Sequence, residues 1–180
     1  MGRPKHRVVV GGRELAGRVG DALRTAGCHP VFQVGVDDPV AGLEFVPDRW
    51  PGAGPVGGII TALEHLEQWR TTGGGGPDEI LVAACDLPDL DATTLELLRA
   101  HPFPPSAGAV GAVAGGHLVP VARWRVSTRG RLVPAFEAGL RSWWGALDAV
   151  GAATVEVPTI TTGDLDTPGD LARWSDSVIP

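Results

Sequence analysis

The sequence has 180 residues, 21 acidic and 15 basic, with a formal net charge of −6. That balance argues against a general nucleic-acid binder, which needs a basic surplus to displace counterions; 43% hydrophobic and 20% charged residues argue against wholesale disorder. No apolar run approaches the ~18–20 residues that span a bilayer, and the length suits one domain with its own core.

In chain order, Arg7 to Val10 is a short β-branched run. Glu14 to Ala26 reads as a helix, with Leu15, Val19, Ala22, Leu23 and Ala26 on one face and Gly27 as its stop. Val31 to Val36 and Leu43 to Val46 read as strands, the second ended by Pro47 and Asp48. Val56 to Arg70 is a helix with Ile59, Ile60, Leu63 and Leu66 inward and Glu64 and Glu67 outward. The Gly-rich run Thr71 to Pro77 is a connector. Glu79 to Ala84 is a continuous apolar run, the pattern of a central strand buried on both faces. Asp91 caps a helix through Leu98. Ala107 to Val113 and His117 to Val121 are weaker strands, Trp124 to Leu140 and Ser142 to Val150 read as helices, Ala153 to Val157 as a late strand, and Pro168 to Trp174 as a closing helix. The alternation predicts an open, mostly parallel, twisted α/β sheet with helices on both faces.

Such sheets bind ligands outside the carboxyl ends of their strands. Carboxylates stand there: Asp48, Asp86 in Cys85-Asp86-Leu87-Pro88, and Asp164 and Asp166 in the segment ending Thr167-Pro168. A carboxylate at the end of a buried strand is costly unless compensated, and Mg²⁺, a hard cation that takes oxygen ligands, compensates well. Asp86 is equally readable as a turn or cap residue, and Asp164 and Asp166 as part of a helix N-terminus. Gly11-Gly12 lacks the G-x-G-x-x-G spacing of a dinucleotide fold and fits a tight turn better. His117 sits in a Gly-Gly-His turn and reads as a solvated loop histidine or a substrate contact; Trp143-Trp144 reads as core and edge packing. Two cysteines, Cys28 and Cys85, make no disulfide framework. Met1 to Arg7 is followed by too short an apolar run for a signal peptide, so a reduced, cytoplasmic protein is expected.

Taken together, the segments resemble a known pattern. Met1-Gly2-Arg3-Pro4-Lys5 resembles the second half of the signature loop of MobA-like nucleotidyltransferases; Gly54-Pro55-Val56-Gly57-Gly58-Ile59, Cys85-Asp86-Leu87-Pro88, the stretch His117 to Trp124, and Asp164-Leu165-Asp166-Thr167-Pro168-Gly169-Asp170-Leu171 resemble later motifs of that family in the same order, with Asp48 at the family's aspartate before the Gly-Pro segment. The resemblance implies a nucleotide-diphospho-sugar-transferase-like, Rossmann-like fold. It implies transfer of a nucleoside monophosphate from an NTP, with GTP favoured over CTP, to a phosphorylated pterin acceptor in molybdenum cofactor biosynthesis, releasing pyrophosphate. Carried over by position, Lys5 and Asp86 are catalytic; Arg3, Lys5, Asp48, Gly54, Pro55 and Asp86 bind the nucleotide; Asp86 and Asp166 hold Mg²⁺. Lys5 is the only lysine among 15 basic residues, and a lysine suits a phosphate as a point charge.

The same resemblance implies a single domain over residues 1–180 that is N-terminally truncated relative to the family, which has a first strand and a Gly-Gly turn before the motif at Met1. A missing central strand would expose two sheet edges, which invites pairing. Partners expected are the NTP and the pterin, with no nucleic-acid polymer and no membrane, in a monomer or weak homo-oligomer. Two other readings are a non-catalytic NTP-binding relative without its phosphate loop, and a dinucleotide-dependent oxidoreductase.

Overall fold

A computed structural model describes residues 5–35, 39–73 and 75–158. A 3₁₀ turn at Lys5–Arg7 leads into a two-stranded hairpin, β1 (Val9–Val10) and β2 (Arg13–Glu14). Gly11 and Gly12 make its turn at φ of 59° and 77°, the left-handed conformation a two-residue hairpin requires. The pair is thus a tight turn, as its spacing predicts. Next come α1 (Leu15–Thr25), β3 (Phe32–Gly35), β4 (Glu44–Pro47), α2 (Pro55–Thr72), β5 (Glu79–Ala83), α3 (Ala92–Ala100), β6 (Ala109–Ala114), β7 (His117–Arg125), α4 (Arg129–Glu137), α5 (Trp143–Ala149) and β8 (Ala153–Glu156).

The main sheet has the order β5-β7-β6-β8: β7 runs antiparallel to both neighbours, and β6 and β8 are parallel. The parallel pair β3-β4 forms a separate ladder. The architecture is therefore the expected open α/β sheet with helices on both faces, with a mixed main ladder. The period-2 alternation of the strands sorts side chains between two cores. Val110, Ala112 and Val121 join Val19 and Ala22 of α1 and Leu95 and Leu98 of α3 on one face. Ala109, Ala122 and Trp124 meet α2, α4 and α5 on the other. β5 divides in the same way, Leu81 and Ala83 to the first cluster and Ile80 and Val82 to the second.

Side-chain caps account for the starts of α3 and α5. Asp91 accepts the Thr94 amide at 2.8 Å and Ser142 accepts the Gly145 amide at 3.1 Å, each satisfying an orphan donor of a first turn. Three expectations differ. The helix expected from Trp124 is strand through Arg125, then a 3₁₀ turn at Val126–Thr128, and α4 only from Arg129. Trp124 is fully buried in the ladder, 5.8 Å edge-on from Trp143, and this burial outweighs the helical pattern that follows it. Glu64, expected outward, is 9% exposed and held by two arginines. Every residue of β5, expected fully buried, is only half-buried, because β5 ends the main ladder. The expected closing helix from Pro168 lies outside the described residues. Trp143 is core and Trp144 is exposed, matching their expected split. Among the described residues no helix is long and apolar enough to cross a membrane, and neither Cys28 nor Cys85 is in a disulfide.

Candidate active site

β4, α2 and β5 form one crossover unit. β4 ends at Pro47, just before Asp48; α2 starts at Pro55 and runs back along the sheet, and Arg70 in its last turn pairs with Asp78 just before β5. β5 thus runs in the direction of β4, and through the β3-β4 ladder in that of β3. The carboxyl ends of all three strands and the N-terminus of α2 lie at one end of the sheet.

Asp86 sits in the turn that follows β5, half-buried, and borders a cavity of about 1010 Å³. Pro55 and Gly58 at the start of α2 border the same cavity. Pro55 is the first residue of α2, and no side chain caps that end, so the first-turn amides point outward and the positive end of the helix dipole is open. Gly54, just before it, has φ 80° and ψ −179°, a region open essentially to glycine, and a Cβ there would stand 3.0 Å from the Arg141 carbonyl oxygen. Gly54 has a steric reason to be glycine, whatever it binds.

Asp48 is fixed differently. Its amide donates to Gly35 O at 2.6 Å, joining the ends of β3 and β4. Its Oδ1 accepts from the Trp50 amide at 3.0 Å and lies 3.1 Å from Thr61 Oγ1. Thr61 Oγ1 also lies 3.0 Å from Gly57 O and accepts the Arg49 amide at 3.2 Å. One turn along α2, Glu64 receives Arg49 on both oxygens, at 3.0 and 2.9 Å, and Arg129 at 2.6 Å. Burial pushes the Glu64 carboxyl up, but the hydrogen bonds from Arg129 and Arg49 outweigh it and hold the group below its ordinary value. Thr61 and Glu64 thus pin the segment that carries Asp48 to α2. The sequence reading missed both. The available signal was their spacing of three on α2 behind Asp48-Arg49, which puts both on one helix face.

The other predicted residues divide plainly. Lys5 opens the first 3₁₀ turn, and its side chain lies outside what the structure describes, as do Arg3 and Asp166 altogether. The segment after Lys5 is placed, however. Arg7 donates to Glu14 at 2.6 Å and to Pro39 O at 3.2 Å, and Arg18 of α1 donates to Pro88 O at 3.1 Å, in the loop after Asp86. His117 opens β7, exposed, beyond the Gly115-Gly116 turn of the β6-β7 hairpin. Among the described residues no three His, Cys, Asp or Glu side chains cluster as a metal site. A Mg²⁺ ion held by one or two carboxylates and by substrate oxygens needs no such cluster, and Asp86, half-buried on the cavity wall, has the donor chemistry for it.

Residues 1–150 match the MobA-like NTP transferase domain family. The chain is 33% identical over 175 residues, 92% of its length and 78% of the relative's, to the molybdenum cofactor guanylyltransferase of Rhizobium meliloti (strain 1021). Its fold matches molybdopterin-guanine dinucleotide biosynthesis protein A of Archaeoglobus fulgidus with a TM-score of 0.69 and 23% identity, covering 98% of this chain and 91% of that one. It matches 2-C-methyl-D-erythritol 4-phosphate cytidylyltransferase of Thermus thermophilus with a TM-score of 0.69 and 20% identity, covering 97% and 93%. The ordered motifs, the open sheet and these likenesses agree: the chain is a nucleotidyltransferase and belongs to the MobA-like NTP transferase domain family.

Proposed function

We propose that the protein transfers a nucleoside monophosphate from an NTP, GTP in preference to CTP, to the phosphate of molybdopterin, in molybdenum cofactor biosynthesis. An oxygen of the acceptor phosphate attacks the α-phosphorus. A new P–O bond forms in line with the bond to the departing pyrophosphate, which leaves with the bonding electron pair. Such a step needs positioning and neutralised charge more than covalent help. The observation that carries the reading is that Asp86, in the turn after β5, and the uncapped, positive N-terminus of α2 border the same cavity. The preference for GTP rests on the guanylyltransferase relative; Asp164-Leu165-Asp166 is the feature that speaks for CTP.

In this reading Asp86 holds Mg²⁺, with Asp166 as a second ligand, and the ion when bound supplies charge neutralisation at the phosphates. Gly54 and Pro55 shape the approach to the α2 amides, which take phosphate oxygens. Asp48, locked by Thr61, meets the nucleoside; Lys5, with Arg3, faces the triphosphate. The test is pyrophosphate release from GTP and from CTP with molybdopterin and Mg²⁺. Asp86→Ala should lower Mg²⁺-dependent turnover by at least ~100-fold, the scale of losing one transition-state charge contact, while the circular dichroism spectrum and melting temperature stay near those of the parent. Unchanged turnover overturns the assignment of Asp86, and release with neither nucleotide overturns the reaction.

A further inference from the structure

We infer that Arg18 of α1 is a positioning residue for Asp86: it ties down the turn that carries the carboxylate, and so sets where that carboxylate meets Mg²⁺. This rests on the reading that Asp86 holds the ion, and adds to it a residue that does not line the cavity.

The turn after β5 is held from both sides and across its middle. Upstream, the Ala84 amide donates to Pro120 O of β7 at 2.9 Å. Downstream, Leu87 is fully buried and Leu90 nearly so, both in the cluster that Val19 and Ala22 of α1 share with α3. The Leu90 amide donates to Leu87 O at 3.3 Å and closes the turn. Between these anchors stands Pro88 O, two residues after Asp86. Arg18 Nε donates to it at 3.1 Å, from 70 residues earlier in the chain.

The surroundings make that bond decisive. Pro88 is buried, and a buried carbonyl left without a donor is costly. The proline ring fixes φ, so a displacement of this carbonyl passes to Leu87 and Asp86 instead of being absorbed at Pro88. Packing is thin at this point. A cleft of about 350 Å³ opens between α1 and the turn, with Arg13, Asp21 and Thr25 on one wall and Pro88 and Asp91 on the other. Arg18 spans it with a charged donor, which makes a hydrogen bond stronger than a neutral one does.

The same helix reaches the other half of the site. The Leu15 amide donates to Val8 O at 2.9 Å, and Glu14 receives Arg7 at 2.6 Å, so the first turn of α1 is tied to the segment that follows Lys5. One turn further along, Arg18 ties α1 to the turn of Asp86. A single helix therefore sets the spacing between the segment assigned to the triphosphate and the carboxylate assigned to the metal. Groups that orient a metal ligand are commonly worth 10-fold or more in metal affinity.

The deciding measurement is GTP binding, followed by isothermal titration calorimetry at rising Mg²⁺ concentrations. Arg18→Met keeps an unbranched stem on the helix and removes the donor. It should raise the Mg²⁺ concentration for half-maximal GTP binding by about 10-fold, while GTP affinity in EDTA stays within about twofold of the parent's. Asp86→Ala should abolish the Mg²⁺ dependence, and adding Arg18→Met to it should change nothing further, because one residue acts through the other. A merely structural role would lower the melting temperature and leave the Mg²⁺ requirement where it was. Should Arg18→Met not fold, Arg18→Lys takes its place; it puts a methylene where Nε stands, and a rise of about threefold is expected. A Mg²⁺ requirement that depends on Asp86 but is unmoved by the Arg18 variant overturns this inference alone. So does an equal loss of GTP affinity with and without Mg²⁺. A Mg²⁺ dependence that is absent from the parent, or that survives Asp86→Ala, overturns the metal reading and this inference with it.

Discussion

At the scale of single residues, Thr61 decides how firmly Asp48 is held. Its hydroxyl oxygen accepts the Arg49 amide and lies within hydrogen-bond reach of two acceptors, Asp48 Oδ1 and Gly57 O, to one of which its single proton goes. Thr61→Val keeps the shape and strips the hydroxyl, leaving the half-buried Asp48 carboxylate and the Arg49 amide each one partner short, at a cost of about 0.5–1.5 kcal/mol. If Asp48 meets the nucleoside, KM for the nucleotide should rise several-fold while kcat stays within about twofold, since a binding contact is loosened rather than a transition-state contact removed. Thr61→Ser restores the hydroxyl and should restore KM. Steady-state kinetics on the three proteins separate this from a merely structural role, which serine would rescue in stability without any shift in KM to rescue. Glu64 adds a pH dependence. Its carboxyl is held below its ordinary value in the folded chain, so the stabilisation is complete above the unfolded value of ~4.3 and is lost as pH falls through the lower folded value. Denaturant midpoints measured from pH 6 down to pH 3 should fall more steeply for the parent than for Glu64→Gln, which has no proton to gain.

At the scale of elements, the two glycines flanking the start of α2 should respond with opposite signs. Gly54 occupies a backbone region closed to alanine and lies against Arg141. Gly54→Ala should cost about 1–3 kcal/mol. Gly58 is inside the helix, and a Cβ there meets nothing within 4 Å, so Gly58→Ala should stabilise by about 0.5–1 kcal/mol. Urea unfolding of both variants checks the pair, and a like sign for the two would refute the account of Gly54. What the sequence made legible at this scale, and what it did not, follows from range. Asp91 as a cap, Gly11-Gly12 as a turn, and the alternation of strand and helix are dictated by neighbours within a few residues, and all are present. Of the candidate site, the sequence marked the strand ends, and the structure has Asp48 directly after β4 and Asp86 in the turn after β5. Glu64 was misplaced because its partners, Arg49 and Arg129, lie 15 and 65 residues away, and outward polarity is the ordinary expectation for a helix glutamate. Trp124 was misassigned because the pairing that makes it strand joins it to Ile80 and Ala109.

At the scale of the whole molecule, β7 is the strand on which both cores lean. It is paired on either edge, and it sends Val121 to one cluster and Ala122 and Trp124 to the other. Trp124 is the largest fully buried side chain, and it packs edge-on to Trp143, so that β7 meets α5 across the second cluster. Its indole Nε1 is buried with no hydrogen-bond partner among the described residues, so part of what its ring contributes is offset by a desolvated N–H. The two obvious truncations should therefore differ sharply. Trp124→Ala opens a cavity between sheet and helices and should cost about 3–5 kcal/mol. Trp124→Phe keeps an aromatic ring against Trp143 and removes the unsatisfied donor, so its smaller cavity is partly compensated and its cost should fall below ~2 kcal/mol. For a chain of this size ~1 kcal/mol moves the melting temperature by about 2–4 °C, so calorimetry should show alanine lowering it by roughly 6–20 °C and phenylalanine by under about 8 °C. Equal losses would mean that the indole N–H is satisfied and that the second core draws on a polar contact as well as on packing.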